Sequence, residues 1–273
     1  MDKVPYLDAQ VPEFEEKLFF PRRHAYCVCV FVINEGEKIR AQLTNMAPLS
    51  AQVDIIIADG GSSDGSLDDS FLKRNCVHCL LTKTEAGQLG TQMRMAFAHA
   101  LKEGYAGIIA MDGNNKDDPA SIPLFIEALD AGWDHVQGSR FVPGGRAINT
   151  PVTRLLGLTL LHAPLISLSS GFRYTDTTNG FRAYSRRLLL DPRVAPFRCV
   201  FVGYELHYYL AIRSVRLGFR VKEVPVTRSY PKGVKIPTKI SPVKGNLNVL
   251  VKLFNACLGR YDPEPVVSSR DAR

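Results

Sequence analysis

Four short, predominantly apolar runs, at residues 26–33, 53–58, 77–81 and 107–111, alternate with segments of helical periodicity, and each stops at a polar cluster. Strands apolar on both faces must be covered on both faces, so the pattern predicts a mainly parallel sheet between two layers of helices. Helices are expected at 35–46, 90–102 and 122–131, then a strand near 135–138, a helix at 203–217 and a strand at 220–226. With 273 residues the chain is near the upper size for one core. The reading is therefore a polar lead-in over 1–24, one α/β domain over 25–228, and a basic C-terminal segment over 229–273 with an apolar helix at 247–258 and a flexible tail.

In such sheets ligands bind beyond the carboxyl ends of the strands. Three polar clusters occupy those ends: Asn34-Glu35, Asp59 to Asp64, and Asp112 to Asp118. The Asp59-Gly60-Gly61-Ser62-Ser63-Asp64-Gly65-Ser66 string satisfies turn chemistry by itself, but a strand-end Asp59 with adjoining glycines also suits a nucleotide. Asp112-Gly113-Asn114 puts two oxygen ligands two residues apart after a buried strand, which suits a hard cation bridging a diphosphate. A diphosphate bound at this rim needs countercharge, from a metal or from basic side chains. Lys116 stands where it could supply that charge.

The formal charge of +7 favours anionic partners. Nucleic acid is a poor fit, because the rim is acidic and aromatics are not interleaved with the lysines. The six cysteines, Cys27, Cys29, Cys76, Cys79, Cys199 and Cys257, read as reduced thiols of a cytoplasmic protein. Cys76-Val77-His78-Cys79 resembles half a zinc site without its second half. The most apolar stretch, 155–168, is interrupted by His162 and Pro164, so membrane contact is expected to be peripheral, at the cytosolic face. Lys232, Lys235, Lys239 and Lys244 ahead of the last apolar helix suit such contact.

Six ordered segments carry a resemblance to a family. Val30 to Glu35 ends in Asn-Glu; Asp59 to Ser66 is similar to an Asp-Asp-Gly-Ser-Thr-Asp-Gly-Thr nucleotide turn; Leu89-Gly90-Thr91 opens a helix. Gly138-Ser139-Arg140-Phe141 is close to a Gly-Ser-Arg-Tyr segment, and Thr175-Asp176 with Asn179-Gly180-Phe181-Arg182 is close to Asp-x-x-Ser-Gly-Phe-Arg, before Glu223-Val224-Pro225-Val226 ends the match. The chain resembles the GT-A, family 2 glycosyltransferases, in their dolichyl- or polyprenyl-phosphate mannosyltransferase-like branch. The resemblance implies a GT-A (Rossmann-like) α/β fold and an inverting transferase using a nucleoside-diphosphate sugar. It places Asn34, Glu35, Asp59, Asp64 and Gly90 at the donor, Asp112 and Asn114 at Mg²⁺ or Mn²⁺ and the diphosphate, and Arg140 and Arg182 at phosphates near the acceptor. The family's Asp-x-Asp is here Asp112-Gly113-Asn114, followed by Lys116 where a metal-assisting Gln often stands. This departure implies a weaker metal requirement.

The acceptor follows from the proton it must lose. A hydroxyl acceptor needs a carboxylate base, for which Asp176 or Glu205 is available, whereas a polyprenyl phosphate arrives ionised and needs none. The Ser-Arg and Gly-Phe-Arg segments, the lysine-rich tail and the apolar middle favour the lipid phosphate. Two other readings stay open: a soluble transferase with a saccharide or small-molecule hydroxyl acceptor, and a catalytically silent nucleotide-binding regulator.

Overall fold

The computed structural model describes residues 10–231 and 244–264. Lys232, Lys235 and Lys239, expected to face a membrane, lie outside the described residues. The strands are β1 (Phe14–Leu18), β2 (Tyr26–Val32), β3 (Asp54–Asp59), β4 (Val77–Lys83), β5 (Gly107–Asp112), β6 (His135–Ser139), β7 (Arg146–Ile148), β8 (Arg182–Ser185), β9 (Val221–Pro225) and β10 (Thr227–Ser229). Eight form one sheet in the order β1-β4-β3-β2-β5-β8-β6-β9, in which only β1 and β8 run against their neighbours. β7 and β10 pair in parallel as a separate ribbon.

Alternate residues of each central strand point to opposite faces. Cys27, Cys29, Phe31 and Ile56 pack on one side against Met93, Phe97 and Leu101 of the Leu89–Lys102 helix. Val28, Val30, Val32, Ile55 and Ile57 pack on the other against Ile39, Leu43 and Met46 of the Glu37–Met46 helix and Phe125 of the Ile122–Asp130 helix. The predicted two-sided burial follows directly from these uninterrupted apolar runs.

Three elements depart from expectation. The polar lead-in contains β1, an antiparallel edge strand on β4, whose charged Glu15, Glu16 and Lys17 hid it in the sequence and suit an edge. β8 threads the Gly-Phe-Arg segment antiparallel between β5 and β6, a placement that no local pattern reveals. The stretch around 155–168 is longer and more regular than its Pro164 suggested, forming a 19-residue helix, Val152–Ser170, apolar and long enough to cross a membrane. A π-helical turn at Leu158–His162 precedes Pro164 and accommodates its missing N–H.

Leu158, Ala163 and Ile166 of this helix are buried, whereas Leu156, Leu160 and Leu168 are exposed. The final helix, Lys244–Cys257, is joined to the body: Leu253 and Ala256 share a core with Ile166, Tyr174, Tyr208 and Ile212. Lys252 reaches Glu205 at 2.7 Å.

Candidate active site

The carboxyl ends of β2, β3 and β5 bring the three polar clusters to one rim. At β2 and β3 the clusters are zipped together. Ser62 donates to Asp59 through its backbone N–H to both carboxylate oxygens at 3.0 Å and through its hydroxyl to Oδ1 at 2.6 Å. Asn34, in a left-handed conformation with φ 49°, donates its N–H to Ser62 Oγ at 2.9 Å and accepts from Ser63 N at 2.8 Å. Asp64 accepts from Gly36 N at 2.9 Å and from the Ser66 hydroxyl at 2.7 Å, and that Ser66 bond holds its carboxyl below the usual range. Thus Asn34, Asp59 and Asp64 shape the rim through contacts with one another.

Gly90 is packed closely against the backbone at Gly203. A Cβ there would meet Gly203 backbone atoms at 2.7 and 2.8 Å. Glu35 lies at the same rim, 3.3 Å from Lys38 Nζ.

The loop after β5 is held at both ends. Gln42, fully buried on the Glu37–Met46 helix, donates to the Asp112 carbonyl at 2.9 Å and accepts from Asn115 N at 2.7 Å. Arg228 of β10 donates to Asp112 Oδ2 at 3.1 Å and pairs with the fully buried Asp117. Burial raises the Asp117 carboxyl, opposed by Arg228, and it settles at about 6. Gly180 makes room for the Asp112 head: a Cβ would stand 2.9 Å from Oδ1.

For the implied divalent ion, this loop provides Asp112, whose Oδ2 already accepts from Arg228, and Asn114, whose Oδ1 is buried without a hydrogen bond while Nδ2 is 3.4 Å from Asp112 Oδ2. Asp117 is committed to Arg228, and Asp118 accepts from Ala120 N at 3.0 Å. Among the described residues no three Cys, His, Asp or Glu side chains form a cluster that could hold a metal ion, Cys76-Val77-His78-Cys79 included. One carboxylate already paired to a guanidinium, one amide oxygen and neighbouring cations do not fit a tightly held ion. The metal site expected at Asp112 and Asn114 is therefore incomplete in its side chains.

Beside this loop the aromatic ring of Tyr230 gathers three cations: Lys116 Nζ at 5.3 Å, and the guanidinium carbons of Arg154 at 5.6 Å and Arg228 at 5.9 Å from its centroid. Arg154 also lies 3.5 Å from the phenol oxygen. Burial lowers the Lys116 ammonium, and Arg228 and Arg154 add to the effect. Burial acts to raise the Tyr230 phenol, but Arg228, Arg154 and Arg140 outweigh it and leave it below its ordinary value. Around Tyr230 these three cations stand beside the carboxylates of Asp112 and Asp117.

The two arginines expected at phosphates are internally committed. Arg140 makes a two-pronged pair with Asp176, at 2.6 and 2.9 Å, and reaches Thr178 Oγ1 at 3.0 Å. The 175–176 turn hangs on Glu223 of β9, which accepts from Thr175 N at 3.0 Å, Thr175 Oγ1 at 2.8 Å and Asp176 N at 3.1 Å. Arg182 is 1% exposed and donates to the carbonyls of Asn179, His207 and Thr177 at 2.9, 2.8 and 2.8 Å. Its position is thus structural: backbone oxygens in the core take its guanidinium away from the rim. Asp176 is no free base, and neither is Glu205, which accepts from Val202 N and Gly203 N at 2.6 Å and pairs with Lys252.

Sequence reasoning missed Gln42, Arg154, Arg228 and Tyr230. Only Gln42 carried a signal, as a polar residue on the Ile39, Leu43, Met46 face of an amphipathic helix.

No protein-family model matches the chain. A polyprenol monophosphomannose synthase of Mycolicibacterium smegmatis is 32% identical over 206 residues, covering 73% of this chain and 76% of the relative. The chain belongs to the polyprenyl-phosphate mannosyltransferase-like glycosyltransferases. A second relative of this transferase, an undecaprenyl-phosphate mannosyltransferase of Micrococcus luteus, is 32% identical over 202 residues, covering 71% of the chain and 79% of the relative. The fold is GT-A: glucosyl-3-phosphoglycerate synthase of Mycobacterium tuberculosis with bound UDP superposes with a TM-score of 0.61 at 19% identity, over 88% of this chain and 81% of that one. The same enzyme has also been solved with Mn²⁺, UDP and glucosyl-3-phosphoglycerate, at a TM-score of 0.55 and 17% identity over the same shares.

Proposed function

We propose that this transferase moves a hexosyl group, mannosyl by analogy with its relatives, from a nucleoside-diphosphate sugar to a polyprenyl phosphate at the cytosolic face of a membrane. The observation that carries the acceptor class is the commitment of the two candidate bases: Asp176 is paired with Arg140 and Glu205 with Lys252. A hydroxyl acceptor would need one of them free to take its proton. An ionised phosphate attacks without a base, and an exposed Arg154 beside Tyr230 is suited to hold it.

Arg154 lies in the first turn of the Val152–Ser170 helix, so a phosphate there sits at the foot of the apolar side chains Leu156 and Leu160. The final helix continues that surface with exposed Leu247, Val251 and Phe254, followed by exposed Leu258 just past its end, and Ser169 Oγ donates to the Cys257 carbonyl at 2.9 Å to tie the two helices. Such a surface suits shallow burial at a bilayer interface, with the isoprenoid tail alongside.

In the proposed reaction the acceptor oxygen forms the bond to the anomeric carbon as the bond to the donor's β-phosphate oxygen breaks. The electron pair stays on the departing nucleoside diphosphate, and attack from the opposite side inverts the anomeric centre. Gln42 and Arg228 hold the Asp112 loop in position for this, and Glu223, through the 175–176 turn, fixes the Arg140–Asp176 pair.

Incubation with radiolabelled GDP- and UDP-sugars and polyprenyl phosphate in detergent micelles is expected to yield a label that partitions into organic solvent and is released by mild acid. Label transferred only to water-soluble saccharides would overturn the acceptor assignment.

A further inference from the structure

The rim that faces the donor carries countercharge in its own side chains. Lys116 follows Asp112 by four residues, is half-buried, and makes no ion pair among the described residues. Its backbone is fixed, because Ser229 N donates to the Lys116 carbonyl at 2.8 Å and Asp118 N donates to the Thr227 carbonyl at 3.0 Å. Those two bonds lock the 112–118 loop to β10, which brings Arg228 to Asp112 and places Tyr230 beneath the Lys116 ammonium. A flexible solvated lysine would not be anchored on both sides of its own residue and packed over an aromatic ring. The aromatic face accommodates a cation but does not neutralise it.

The same loop lacks what a divalent ion requires. Of its three carboxylates, Asp112 and Asp117 are bonded to Arg228 and Asp118 accepts from Ala120 N, and an amide, Asn114, stands where a second carboxylate would complete the ligand set. Adding a doubly charged ion beside Lys116, Arg154 and Arg228 brings like charges together, whereas adding a diphosphate brings opposite ones. From this juxtaposition we infer that Lys116 takes over the charge-neutralising task at the donor diphosphate, so that donor binding and sugar transfer proceed without a divalent metal.

The inference rests on the nucleotide-sugar reading above and deepens it. When the anomeric carbon–oxygen bond breaks, one further negative charge develops on the β-phosphate, and an ammonium already in place needs no reorganisation to meet it. No proton changes hands: Lys116 enters and leaves the step as an ammonium, and the charge gained by the leaving group equals that lost by the attacking phosphate.

Calorimetric titration of the full chain with GDP and with UDP, in EDTA and in Mg²⁺ or Mn²⁺, tests this without relying on turnover. Wild-type protein is expected to bind one of the two in EDTA, with an affinity that metal changes less than about twofold. Lys116→Gln should weaken binding in EDTA roughly tenfold, the loss of one charge-assisted hydrogen bond, and Lys116→Arg should restore most of it. Transfer to polyprenyl phosphate should survive EDTA in wild-type protein and fall sharply in Lys116→Gln. Binding and transfer that vanish in EDTA, return with metal and are unaffected by Lys116→Gln would overturn the inference and leave the donor reading standing. Binding of neither nucleotide, with or without metal, would overturn both.

Discussion

Arg228 Nη2 lies 3.1 Å from Asp112 Oδ2, joining the end of β5 to a strand more than a hundred residues later. The same guanidinium pairs with the fully buried Asp117, so one cation holds two of the loop's three acidic groups. Two consequences follow, one for stability and one for the donor side of the site.

Replacing Arg228 with Met keeps much of its volume and removes its charge. Asp117 is then buried without a partner, and breaking a buried pair from one side costs about 3–5 kcal/mol. Urea denaturation should show a loss of that size, and Arg228→Lys should recover part of it. A midpoint unchanged in Arg228→Met would show that the pair contributes nothing to folding.

Gln42 acts on the same loop from the opposite side. Gln42→Leu removes the donor to the Asp112 carbonyl and the acceptor for Asn115 N, leaving two backbone groups unpaired at a cost of about 1–3 kcal/mol each. Because the loop carries Asp112, kcat/KM should drop further than the stability loss explains. Gln42→Glu retains the acceptor only and should fall between wild type and Leu. Steady-state kinetics at a temperature where all variants are folded separates the two effects.

Gly180 is constrained by a side chain from another element. A methyl group there would approach Asp112 Oδ1 to 2.9 Å, and the carboxylate would have to turn away. Displacing a reacting-site group by about 1 Å can cost on the order of 100-fold in rate. Gly180→Ala should therefore lower sugar transfer by roughly that factor while its melting temperature stays within a few degrees. Full activity in this variant would remove Asp112 from the reacting centre.

Stability should fall on acidification from near neutral. Burial pushes the His207 imidazole well below its ordinary value of 6.5, with Arg182 and His135 adding to the effect, and burial and Arg182 do the same to His135. In a folded chain that resists protonation, the stability these groups contribute is present above 6.5 and is lost as the pH falls below it, because only the unfolded chain takes up the protons. Asp117 works the other way: its raised carboxyl favours the folded state at low pH, and that contribution fades as the pH rises through about 6. Urea midpoints measured from pH 7.5 down to 5 should decline in wild-type protein and decline less in His207→Gln. Equal slopes for the two proteins would refute the assignment to His207.

Membrane contact should depend on exposed leucines that support nothing inside. Leu160 is 73% and Leu168 85% exposed, so Leu160→Glu with Leu168→Glu should leave thermal unfolding almost unchanged. Co-sedimentation with vesicles containing anionic lipid should drop several-fold, since an apolar insertion is replaced by like-charge repulsion. Vesicle binding equal to wild type would place the interface elsewhere.

Much of the molecule was legible in the chain itself. The parallel strands announced themselves because a strand buried on both faces must be apolar at every position, and β2, β3 and β5 lie within one or two residues of the runs that predicted them. The rim was legible for the same reason: the strands stop where polar turn chemistry begins, at Asn34, Asp59 and Asp112. Strand β1, with its charged edge, and β8, inside a motif, carried no such pattern, since their pairing is decided by neighbours distant in sequence.

What the sequence by itself determined is therefore which residue types stand at which strand ends, because hydrophobic periodicity and turn preference act over a few residues. What only the tertiary structure decided is which of those charges remain available. Arg182 and Arg140 look alike in the chain as candidate phosphate binders, yet one is spent on three carbonyls and the other on Asp176, and Arg228 is spent on Asp112 and Asp117, while Lys116 and Arg154 meet at Tyr230 from separate segments. A charged group is satisfied by whatever the fold brings within about 3 Å, and that partner can lie anywhere along the chain.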